Sequence, residues 1–142
     1  MLKISTRFSV GVHILALLEI GKDYSCTSEF IAGSVNTNPV VIRRLLGMLK
    51  KAGLVHISRG VAGAKLAKQP EDISLLEIYH AVGAVDATLF SVHENTNLKC
   101  PVGANIQTAL DDTVHSAQAV MERELSTRTL ADIIENIKEK MR

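Results

Sequence analysis

Residues 38–53 limit the possible folds more than any other stretch. Asn38 and Pro39 open it and Gly53 closes it. Asparagine is a favoured N-cap because its side-chain oxygen accepts an orphan backbone N–H, and a proline at the next position gives up no bond. Glycine just past the last periodic residue is the matching stop. Between these signals Ile42, Leu45, Leu46 and Leu49 recur on one face, while Val40, Arg43, Arg44, Gly47 and Lys50 take the other. The spacing predicts one amphipathic helix running to Ala52, with only positive charge on its polar face.

The charge bias reaches beyond that helix. From Glu29 to Glu71 no acidic residue intervenes, and Arg43, Arg44, Lys50, Lys51, Arg59, Lys65 and Lys68 make the window +7. The whole chain is only +1, because the remaining 9 basic and 15 acidic residues leave it at −6. Local charge, not the sum, decides whether a polyanion docks.

The flanking segments carry their own signals. Ser5 is placed to cap a first helix through Ile20, ended by Gly21; its apolar residues cover more than one face, as in a buried central helix. Thr27 caps a second helix over 28–34 with Glu29 in its first turn, and Val35-Asn36-Thr37 makes the turn into the third. After Gly53 come a strand over 54–58, a tip Arg59-Gly60-Val61-Ala62-Gly63, and a return strand over 64–67. Helix, turn, helix and glycine-tipped hairpin in this order make a winged helix-turn-helix. Its second helix conventionally enters the major groove, where arginine reads guanine bidentately, a contact worth about 1–3 kcal/mol of discrimination. The DNA-binding candidates are Thr27, Ser28, Asn38, Pro39, Val40, Arg43, Arg44 and Lys50, with Arg59, Gly60 and Lys65 acting through the wing.

The second half reads as helices. Ser74 caps a fourth over 75–82, a loop runs through Asn95-Thr96-Asn97, and Pro101 opens a long helix to about Leu125. Its stripe of Val102, Ile106, Leu110, Val114, Ala117, Met121 and Leu125 needs a partner surface. A second copy of the chain is the economical partner; the chain's own core is the other. A last helix over 129–141 carries Leu130, Ile133, Ile134, Ile137 and Met141. The expectation is a mainly α fold with a small β-hairpin wing: a DNA-binding domain over 1–83, then a loop and dimerisation helices over 84–142.

Other classes find little support. The chain has no Trp and five aromatics, so its core is aliphatic and it lacks the stacking residues of single-strand RNA readers. Phosphate loops, zinc-hydrolase motifs and nucleophile elbows are absent, and His13, His56, His80, His93 and His115 are scattered. The expectation is no enzyme, no metal and no cofactor. No apolar run spans a bilayer and the N-terminus lacks a secretory h-region, which points to the cytoplasm. The alternative is a protein-interaction module whose amphipathic helices bind another protein without DNA.

From Thr27 onward the wording resembles the Rrf2 family of bacterial winged-helix regulators. The carrying residues are Asn36-Thr37-Asn38-Pro39-Val40-Val41-Ile42-Arg43-Arg44, Leu49-Lys50-Lys51-Ala52-Gly53-Leu54-Val55, Arg59-Gly60-Val61-Ala62-Gly63-Ala64 and Ile73-Ser74-Leu75-Leu76-Glu77-Ile78. Ile4 to His13 and Cys100-Pro101-Val102-Gly103 also fit. The resemblance implies a homodimeric transcription factor, often a repressor, on a near-palindromic double-stranded operator. Some members hold an iron–sulfur cluster through three cysteines ahead of the long helix; here residues 86–103 hold Cys100 alone. The wing also departs, with Ala62 and Ala64 in place of glycine and Lys65 in place of an aromatic.

Cys100 stands at the N-cap of the long helix beside Lys99, where helix-terminus charge favours thiolate and makes it a target for oxidants. Cys26 is its candidate disulfide partner across the dimer, or a small buried apolar residue. The effector is then an oxidant, or a small molecule seated between the wing domain and the long helix.

Overall fold

The computed structural model describes residues 6–83 and 93–142. In chain order it has α1 (Arg7–Ile20), α2 (Ser28–Val35), α3 (Pro39–Lys51), β1 (Val55–His56), β2 (Lys65–Leu66), a 3-10 turn (Pro70–Asp72), α4 (Leu75–Ala81), α5 (Pro101–Ser126) and α6 (Leu130–Lys140). Ser5, the expected cap of the first helix, lies outside the described residues; Thr6 takes the cap position without a side-chain bond.

α1 is the hub. Gly11, Ile14, Leu15, Ala16 and Leu18 are buried, and α2, α3, α4, α6 and β2 all pack against it. α3 turns Ile42, Leu45, Leu46 and Leu49 into this aliphatic core, each 5% exposed or less. It ends at Ala52, followed by Gly53 at φ +79°.

The wing is shorter than its sequence implies. Only Val55 with Leu66 and His56 with Lys65 pair, in one antiparallel ladder. The five- and four-residue strands expected are therefore wrong in length. The return strand is held from the side instead: the Ala64 N–H donates to the Cys26 carbonyl at 3.1 Å, so the wing root is anchored to the segment before α2.

α4 begins with a capping box, in which Ser74 accepts from the Glu77 N–H and the Glu77 carboxylate accepts from the Ser74 N–H. α6 has the same device with Thr129 and Asp132. The two helix starts are joined, because Leu75 N–H donates to Arg128 O at 2.9 Å and Leu130 N–H to Ile73 O at 2.8 Å. This brings Leu130 and Ile134 of α6 into the same core as α1. α5, by contrast, has 26 residues and none buried. Met121 and Leu125 at its C-terminal end pack on the core, whereas Val102 and Leu110 are 68% and 42% exposed.

Candidate nucleic-acid interface

Local chemistry sets the angle between α2 and α3. The Thr27 hydroxyl accepts from the Phe30 N–H at 3.2 Å and starts α2. Asn36 ends it in the left-handed region at φ +66°, and the N–H groups of Asn36 and Thr37 both donate to Ala32 O. Asn38 Oδ1 then accepts from the Val40 N–H at 2.8 Å and Pro39 opens α3. Every turn residue has a bonding reason, so the two helices hold a fixed geometry.

With its apolar face in the core, α3 presents Val40, Arg43, Arg44, Gly47 and Lys50 to solvent. Among the described residues Arg44, Lys50, Lys51 and Arg59 form no ion pair. Arg43 differs: its Nη2 donates to Glu29 Oε1 at 2.6 Å. In the wing Gly60 has φ +77° and Arg59 is exposed. Lys65 is engaged by the body of the domain, its ammonium donating to the Lys22 carbonyl at 3.3 Å. The sequence gives no sign of the Glu29 contact or the Lys22 contact, since the partners lie 14 and 43 residues apart.

The cysteines occupy unlike places. Cys26 is 2% exposed and donates its S–H to the Gly21 carbonyl at 3.4 Å. Burial pushes its pKa above the ordinary thiol value, with Lys65 opposing the rise. Cys100 is exposed at the N-cap of α5. Its pKa lies below the ordinary value, because the N–H groups of Gly103 and then Val102 stabilise the thiolate.

The family model described as Rrf2, iron-dependent transcriptional regulator, matches residues 4–136. YwnA of Bacillus subtilis (strain 168), named as a candidate HTH-type transcriptional regulator, is 51% identical over 134 residues, covering 94% of this chain and 98% of its own. A crystal structure of a candidate DNA-binding protein is 47% identical with a TM-score of 0.74, over 90% of this chain and 98% of the other. A candidate transcriptional regulator from Lactobacillus plantarum is 26% identical with a TM-score of 0.79, over 94% and 90% of the two chains. The fold is that of these winged-helix DNA-binding regulators.

The donor set does not suit a cluster ligated by three cysteines. There are two cysteines, and Cys26 is closed into the core. Nor does a substitute set assemble: His80 faces Glu122 at 3.6 Å, His93 and Glu94 are exposed, and among the described residues no three potential ligands converge.

Proposed function

The chain belongs to the Rrf2 family of transcriptional regulators, and we propose that it acts as a homodimeric, sequence-specific reader of double-stranded DNA. The observation that carries this reading is α3: four leucine and isoleucine side chains lock one face into the core, leaving an outward face whose only charges are positive. Asn38, Pro39 and Val40 start the helix at the groove, Arg43 and Arg44 meet base edges or the adjacent phosphate, and Lys50 reaches the backbone. Thr27 and Ser28 offer the start of α2 to a phosphate. Arg59 and Gly60 place the wing tip beside the helix, and Lys65 braces the wing against Lys22 as well as adding charge.

The division of labour is a reading head over 1–83 and an assembly segment over 84–142, with α6 returning to brace the head. Dimerisation through α5 is supported by its lack of any buried residue. A two-fold axis through α5 sets two reading helices on a near-palindrome with half-sites about one or two helical turns apart. Occupancy of such a site within a promoter represses transcription in the cytoplasm.

An oxidant effector acts through Cys100, the exposed thiol whose pKa is lowered. A disulfide to Cys26 requires the wing root to open first, since Cys26 sits beneath Gly63. A small molecule at the junction of the wing domain and α5 is the other class of effector.

Binding-site selection with the purified protein, followed by titration of the selected duplex at several salt concentrations, tests the reading. A specific site, with affinity falling steeply as salt rises through counterion release, is the expected result. Equal, salt-insensitive affinity for all duplexes overturns it.

A further inference from the structure

Glu29 is the only acidic residue between Asp23 and Glu71, and its carboxylate meets Arg43 on the outward face of α3. It lies in the first turn of α2, where helix-terminus charge favours a carboxylate. Its Oε1 is 2.6 Å from Nη2 of Arg43, with the two side chains 65% and 55% exposed. So exposed a pair adds little to folding stability, and stability does not account for placing a negative charge beside a polyanion's path.

The contact has a clear consequence for how Arg43 can act. A guanidinium has five N–H donors in a rigid plane. The carboxylate takes one N–H of that plane, restrains its orientation and leaves the other donors for a guanine, which needs two. It also offsets the one charge of α3 that it touches, so Arg43 gains less from a phosphate oxygen than an unpaired arginine would. Arg44, with no ion pair among the described residues, has no such restraint.

We propose that Glu29 is a specificity-determining residue: it holds Arg43 off the phosphate backbone and aims its guanidinium at a base edge. This rests on the reading of α3 as the groove helix. Removing the carboxylate then raises affinity for any duplex while blurring the sequence preference.

The test compares wild type, Glu29→Gln and Glu29→Ala in binding-site selection and in titrations of a random-sequence duplex across salt. The alanine variant is included because a glutamine oxygen can still accept from Arg43. Both variants should bind the random duplex more tightly. The slope of log affinity against log salt should steepen by about 0.9, one extra phosphate contact. At one position per half-site the base preference, about 5- to 150-fold for a bidentate pair, should fall toward none. In an Arg43→Ala background, Glu29→Gln should leave the base preference at that position unchanged. If wild type selects a site and both variants keep its preferences and its salt slope, the role of Glu29 is overturned and the reading of α3 stands. If wild type selects no site, the reading of α3 fails and this proposal fails with it.

Discussion

At Gly63 the backbone has φ +91°, and an added Cβ would come 2.8 Å from the Cys26 nitrogen. Both the conformation and the space exclude a side chain, and the neighbour is backbone that cannot swing aside. Gly63→Ala should therefore lower the unfolding free energy by about 1–3 kcal/mol, measured by denaturant titration. The wing root should also shift, exposing Cys26 to a thiol reagent that leaves it untouched in wild type. Cys100 should react in the native protein, and its rate should rise with pH to a midpoint below that of a free thiol. The sign follows from the N–H groups of Gly103 and Val102, which favour thiolate. Loss of the labelling in Cys100→Ser checks the assignment. Arg43 and Arg44 were legible in the sequence because faces on a helix follow from spacing alone. Glu29 beside Arg43 and Gly63 against the Cys26 segment were not, since each contact depends on how separate elements pack.

For whole elements, the start signals proved the most readable. Thr27, Asn38 and Ser74 cap as their residue types suggest, because a cap is settled within four residues; Thr129, expected within the last helix, turns out to cap it. The hairpin was overread, since a β-propensity run does not say how many of its residues find a partner. The 3-10 turn over Pro70–Asp72, which packs against α6, went unseen as well, because that contact joins segments far apart in the chain. The capping box of α4 carries a prediction in two parts. Ser74→Ala should cost about 1 kcal/mol of stability, read from chemical unfolding. Burial alone would raise the Glu77 pKa, but Lys68 and the Ser74 N–H and hydroxyl outweigh it and hold it below the ordinary carboxylate value. Glu77 thus contributes stability above its unfolded pKa, and this is lost as pH falls through the lower folded value. Glu77→Gln should flatten the acid limb of a stability profile below about pH 4.5, modestly, since the carboxylate is 41% exposed.

At the scale of the whole molecule, α5 divides along its length, and this was only half visible in its stripe. Seven apolar positions at helical spacing call for a partner surface without naming it. Met121 and Leu125 find theirs on the chain's own core, beside α4. Val102 and Leu110 are left exposed, and the partner proposed for them is a second copy. The two ends should therefore answer mutation differently. Leu110→Glu puts a charge where the proposed interface must be dry, and leaves the core of the single chain untouched. It should sediment as a folded monomer at micromolar concentration, with an unfolding midpoint that no longer depends on protein concentration. Linking two reading heads raises avidity by about 10²–10⁴ over one alone, so the same variant should lose that much operator affinity. Met121→Ala should do the reverse, lowering unfolding free energy while the assembly state at folding conditions stays as in wild type. Were Leu110→Glu to sediment like wild type and bind the operator as tightly, the exposed half of α5 would not be the dimer contact, and the two-fold axis would have to lie elsewhere.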